Sequence, residues 1–174
     1  MQQPAPLTLA AVNALNLDGF VACFGGIVED AAWLVATVAD VRPFADVDAV
    51  VAAFHKTFDA LDAVGRREII LQHPDLAGRL ARAGRLSAES TAEQAGIGLD
   101  RLSDEEYERF AGLNCTYTTK FGFPFIAAAR AHTRETLIAA FEARVEHTAE
   151  AEFKIACAEV RKIMEFRLRD LVVG

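Results

Sequence analysis

The chain has 174 residues, 52% hydrophobic and 25% charged, with a net charge of −7 and a pI near 5.1. This length and composition suit one domain of ordinary size with a buried core and exclude a disordered tail. The acidic balance argues against nucleic acid or an anionic membrane as the main partner, since either would repel the average surface.

Three cysteines, Cys23, Cys115 and Cys157, form no CxxC pair and fit neither a disulfide framework nor a zinc cluster. They read as buried small hydrophobes in a reducing compartment. Met1-Gln2-Gln3-Pro4 has no basic n-region followed by an apolar stretch, so no signal peptide is expected. No apolar run reaches about 18 residues, the length of a membrane span. Cytoplasm is the expected compartment.

In chain order, residues 1–6, with Pro4 and Pro6, read as a frayed tail. Asp46 is a good N-cap for DVDAVVAAFHKTFDAL, which places Val51, Phe54, Phe58 and Leu61 at helical spacing. REIIL (67–71) reads as a helical turn that ends at His73-Pro74, because a proline disfavours the α conformation in the residue before it. Ser90-Thr-Ala-Glu93 has the Ser-x-x-Glu pattern of a capping box, yet Gly96 and Gly98 would cut such a helix short. Ser103-Asp-Glu-Glu106 is a second capping box. Leu137, Phe141 and Val145 mark a further helix, and Thr148 to Leu171, free of Pro and Gly, predicts one long C-terminal helix. No segment sustains a period of two. The prediction is an all-α, single-domain bundle of seven to nine helices covering residues 1–174.

Three features stand apart from that pattern. His73 sits at a helix C-terminus, where the helix dipole favours imidazolium and a histidine can serve as acid or base; an ordinary corner histidine is the alternative. His55, His132 and His147 read as surface residues. KFGFPFIAAAR (120–130) places three phenylalanines in five residues of a broken connection, so it should pack inward. Arg167 falls on the apolar stripe of the last helix with Phe153, Cys157, Val160, Met164 and Leu171, within about 40° at 100° per residue. Lys162 and Arg169 lie towards the opposite face. A guanidinium on that stripe needs either an internal Asp or Glu partner or an anionic ligand.

In this order, HPDLAG (73–78), SxxEQ (Ser90, Glu93, Gln94), LNxxYxxKFGFPFI (113–126) and EVRKIMEFRLRDL (159–171) resemble the OHCU decarboxylases. That family acts on 2-oxo-4-hydroxy-4-carboxy-5-ureidoimidazoline in the oxidation of urate to allantoin. VEDAAWLVATVADVRPF (28–44) is also similar, and the resemblance runs from about Leu9 to Leu171. Two departures are visible: Ile97-Gly98-Leu99 where Ala-Gly-Leu is frequent, and Ala31-Ala32 where Ser-Pro is common.

The resemblance implies a cofactor-independent carboxy-lyase without a metal. The carbon losing CO2 lies beside a C=N bond, so the substrate carries its own electron sink. It assigns His73, Glu93 and Arg167 as catalytic: His73 as acid/base, Glu93 as its partner or a second proton-handling group, and Arg167 on the carboxylate. Pro74, Ser90, Gln94 and the 125–129 backbone (Phe125, Ile126, Ala127, Ala128, Ala129) would contact substrate. A small-molecule ureidoimidazoline is the implied partner, and a homodimer the implied assembly. The alternative is a non-catalytic helical binding or scaffold module of the same fold.

Overall fold

Local capping chemistry starts most of the helices. A computed structural model of the protein describes residues 6–78, 81 and 83–174. Among them are nine α-helices: α1 (Leu9–Ala14), α2 (Leu17–Phe24), α3 (Ala32–Ala39), α4 (Val47–Asp59), α5 (Ala63–Gln72), α6 (Ala88–Gly96), α7 (Asp104–Phe121), α8 (Arg134–Val145) and α9 (Ala149–Leu171). Asp46 accepts from the Ala49 N–H at 2.7 Å at the start of α4. Ser103 and Glu106 close the expected box at the start of α7. Gly122 ends α7 at φ +70°, its N–H donating to the Thr118 carbonyl, a left-handed stop that glycine adopts without a Cβ penalty. The fold is all-α, as the periodicity predicts.

The chain divides into two compact units, residues 1–69 with 161–174, and residues 70–160. In the first unit α2 packs on α3 and α3 on α4. Phe20 and Phe24 stack at 4.3 Å, Phe54 lies 5.9 Å from Phe24, and all three are fully buried. Each such side chain contributes roughly 1.5–3 kcal/mol on burial. The Asn13 side chain and the Phe44 backbone exchange two hydrogen bonds, at 2.8 and 2.9 Å. Sequence periodicity did not anticipate one feature: Leu7–Thr8 (β1) pairs in parallel with Val172–Val173 (β2). Two residues are too few for an alternation signal. Of the predicted frayed tail, residues 1–5 lie outside the described residues and Pro6 is exposed.

The second unit has an aromatic core. Fully buried Tyr117 meets Phe125 and Phe141 edge-on at 5.2 and 5.6 Å, and Phe125 stacks on Phe141 at 3.8 Å. The Tyr117 hydroxyl donates to Glu152, which is fully buried. Burial first, then the Glu152 carboxylate, pushes the phenol up, so it remains a donor. The Arg144 Nε also donates to Glu152, at 2.8 Å, and the guanidinium lies 4.3 Å over the Phe125 ring. Tyr117, Arg144 and Glu152 thereby satisfy one another's buried polar groups.

Some sequence expectations need correcting. Cys23 and Cys115 are exposed and only Cys157 is buried, because thiols are tolerated at either place and spacing alone does not choose. His55, His132 and His147 are half-buried rather than fully exposed. The His55 Nε2 contacts the Arg161 carbonyl at 3.0 Å, and the His147 Nδ1 contacts Glu152 Oε2 at 3.0 Å.

Candidate functional site

The His73 corner is built as Pro74 requires. Helix α5 ends at Gln72, and the His73 N–H turns back to the Ile70 carbonyl at 3.2 Å. The His73 side chain is buried, with Pro74 half-buried beside it in sequence. The chain then turns tightly, the Gly78 N–H donating to the Asp75 carbonyl at 3.2 Å. A Cβ on Gly78 would come within 2.7 Å of the Asp75 Cβ, so the turn needs glycine. Ala77 has φ +50°, a left-handed backbone costly for an L side chain.

Two side-chain amides hold that strained turn. The Gln94 Oε1 accepts from the Ala77 N–H at 2.9 Å, and the Asn114 Nδ2 donates to the Leu76 carbonyl at 2.9 Å. The Leu76 C=O and the Ala77 N–H belong to one peptide group. It is therefore gripped at both ends, three residues from the histidine.

Helix α6 supplies Gln94 and two more predicted residues. Its N-cap is Ser87, whose side chain accepts from the Ser90 N–H at 3.1 Å. Ser90 is therefore inside the helix, and the capping-box reading of Ser90 and Glu93 is wrong. The true cap, three residues earlier, was masked by a second Ser-x-x pattern. Ser90 and Gln94, four apart, share the buried face of α6, and Glu93 is half-buried. Gly96 ends this helix, and Gly98 follows at φ +77° with its carbonyl held by Arg134 Nη2 at 3.1 Å.

The 125–129 segment is buried throughout, as its phenylalanines predict. It runs into a 3-10 turn, Ala129–Ala131, that packs against α6. Several backbone groups here are already engaged. The Ile126 carbonyl accepts from Arg144 Nη1 at 2.8 Å, and the Ala128 N–H donates to Glu159 Oε2 at 2.8 Å. The Ala128 and Ala129 carbonyls accept from the Ala131 and His132 N–H groups. The Ile126 and Ala127 N–H groups and the Ala127 carbonyl take no part in these bonds.

Arg167 belongs to the first unit and is buried, its side chain 5% exposed. Its Nη1 donates to the Gly26 carbonyl at 2.9 Å and its Nη2 to Glu29 Oε1 at 3.1 Å, with the Glu29 side chain 12% exposed. Of the two possibilities raised by the stripe, an internal acidic partner is present, and it is Glu29. The second unit brings together the His73 turn, Ser90, Gln94 and the 129–131 turn through the amide grip and the α6 packing. Arg167 is held by its own partners in the first unit.

Asn114, Arg144, Glu152, Glu159 and Glu29 were not singled out from sequence. Arg144 could have been, since it follows Phe141 by three and Leu137 by seven, the same stripe argument that exposed Arg167. Glu152 and Glu159, with Ala156 and Ile163, make a second buried face of α9. Glu29 lies in a connection without periodicity and left no signal. Among the described residues, no three His, Cys, Asp or Glu side chains are grouped to hold a metal ion. Within the same residues no helix is long and apolar enough to cross a membrane.

The family model for OHCU decarboxylase matches residues 13–169. The chain belongs to that family. Among curated members, a 2-oxo-4-hydroxy-4-carboxy-5-ureidoimidazoline decarboxylase of Haloferax volcanii is 38% identical, covering 94% of this chain and 95% of its own. The Mus musculus enzyme of the same name is also 38% identical, over 95% and 93%. A crystal structure of (S)-allantoin synthase superposes with a TM-score of 0.75 and 29% identity, covering 95% of this chain and 54% of that one. The family assignment agrees with the motifs at residues 73–78, 90–94, 113–126 and 159–171.

Proposed function

We propose that this member of the OHCU decarboxylase family converts 2-oxo-4-hydroxy-4-carboxy-5-ureidoimidazoline to (S)-allantoin with loss of CO2, in urate degradation. The observation that carries the reading is the family match, which spans nearly the whole chain and includes the His73 and Arg167 motifs. The breaking C–C bond sends its electron pair into the adjacent C=N, so the protein's work is orientation, charge placement and delivery of one proton to a chosen face. No cofactor is needed for that electron flow.

His73 is the proton-transfer group. Burial limits its freedom, and the clamped turn beside it holds its backbone, which suits a group that must meet one face of a ring. Glu93 is its partner or a second proton-handling carboxylate. Arg167 aligns the departing carboxylate, its guanidinium plane set by Glu29 and the Gly26 carbonyl. Binding that group too tightly would stabilise the ground state, so Arg167 holds it in the geometry that aligns the breaking C–C bond. Ser90, Gln94 and Pro74 line the ligand, with the 125–129 backbone along the imidazoline edge. The whole chain acts as one catalytic domain, cytoplasmic and homodimeric.

The test is turnover of freshly generated substrate, followed by circular dichroism of the (S)-allantoin formed. His73→Asn should lower kcat by about 10²–10⁴-fold with the fold intact. An unimpaired rate in the folded variant excludes His73 as the proton-transfer group.

A further inference from the structure

Asn114 is buried, 7% exposed, and its Oδ1 is a buried acceptor with no hydrogen-bond partner among the described residues. Buried polar atoms are almost always paired, so an orphan of this kind calls for an explanation. Its orientation is settled by its other end. Only the NH2 of a side-chain amide can face a carbonyl, and the Leu76 carbonyl lies 2.9 Å from Nδ2. Oδ1 is thereby committed to the opposite edge of the planar amide. The same logic applied to Gln94 gives the opposite result. Its Oε1 accepts the Ala77 N–H at 2.9 Å, so this oxygen already has a partner and the NH2 occupies the other edge of the amide.

A ureidoimidazoline presents several N–H donors, and each donor taken out of water needs an acceptor. The family resemblance implies that Ser90 and Gln94 contact substrate, and the Gln94 oxygen already accepts a hydrogen bond from the turn it supports. We infer that Asn114 Oδ1 accepts an N–H of the bound substrate, while its Nδ2 holds the turn that carries His73. The inference rests on the decarboxylase reading above. Asn114 is then a binding residue that ties ligand recognition to the placement of His73. Gln94 meets the ligand as a donor. One side-chain amide, docked on the Leu76 carbonyl, can sense both the ligand and the corner. The orphan acceptor is what a preorganised site looks like before its ligand arrives: its hydrogen bond is left for binding to supply.

The test uses (S)-allantoin, the product, which carries ring and ureido N–H groups, and analogues methylated at each nitrogen in turn. Calorimetry on the wild type should find one methylated position that weakens binding by roughly tenfold or more, the loss expected for a buried acceptor left unpaired. In Asn114→Leu, allantoin and that same analogue should bind within about twofold of one another, a ratio that reports the pairing itself. Wild-type discrimination persisting in folded Asn114→Leu overturns the inference. If that variant does not fold, a crystal structure of the wild type with (S)-allantoin decides. A ligand nitrogen within about 3.2 Å of Oδ1 supports the pairing, and water alone at Oδ1 overturns it. His73→Asn turnover separates the two readings. If allantoin binds and His73→Asn is slow while Oδ1 meets only water, the Asn114 inference falls and the decarboxylase reading stands. An unimpaired His73→Asn with no allantoin binding removes both.

Discussion

Replacing Arg167 by Met tests what the guanidinium does for the fold and for the ligand in one preparation. The change keeps a long, helix-compatible apolar side chain beside Met164 and Leu168, both buried. It also removes the cation facing Glu29, across 3.1 Å, with side chains 5% and 12% exposed. Breaking one half of a buried pair costs about 3–5 kcal/mol, because the remaining charge stays desolvated. At roughly 2.1 cal/mol/K of unfolding entropy per residue, 174 residues give about 0.37 kcal/mol/K, so the melting temperature should fall by about 8–14 °C. Glu29→Met in the same background should recover most of that fall, since an apolar pair of similar volume often matches a buried ion pair in stability. Arg167→Lys, which keeps charge but not the planar fork, should lie between. Affinity for a carboxylated substrate analogue should fall about ten- to a hundredfold in Arg167→Met and should not return with Glu29→Met. The assay is a differential scanning melt and a calorimetric titration of all four proteins. An Arg167→Met melting temperature within about 2 °C of wild type would refute the reasoning, since it would mean that the pair contributes almost nothing.

Gly78→Ala should destabilise the chain by about 1–3 kcal/mol, because its Cβ meets the Asp75 Cβ at 2.7 Å, and should lower kcat by moving the His73 turn; wild-type denaturation and turnover would refute this. Glu152→Gln takes the counter-charge from buried Arg144, which also holds the Ile126 carbonyl, and urea unfolding should show a loss of about 3–5 kcal/mol. Glu106 is held below its ordinary value of 4.5 by the Ser103 backbone N–H and then by Arg134. A lowered carboxylate contributes stability that is present above 4.5 and lost as pH falls through the folded value. Wild type and Glu106→Gln should therefore differ in melting temperature at neutral pH and converge in acid; an unchanged difference at low pH would refute it.

What the sequence determined by itself is local or periodic. Asp46 and Ser103 cap helices because their partners lie three residues away, at Ala49 and Glu106, where propensity and capping chemistry act without the rest of the fold. Pro74 ends a helix by a clash with its own neighbour. The inward packing of the three phenylalanines at 121–125 follows from composition, and Arg167 stands out on its stripe because helix geometry repeats every 3.6 residues. The four motifs, in their order, also carried the family. The tertiary structure decided which groups meet. Glu29 and Arg167 are 138 positions apart, and Asn114 and Leu76 are 38 apart. Leu7 pairs with Val172 in a ladder too short to leave a pattern. Each of these depends on a direction in space that no window of neighbours encodes. A stripe shows that a charge is buried, but the fold alone chooses its partner. For the same reason no window of sequence shows that the Gln94 Oε1 accepts the Ala77 N–H, or that Asn114 Oδ1 has no partner among the described residues.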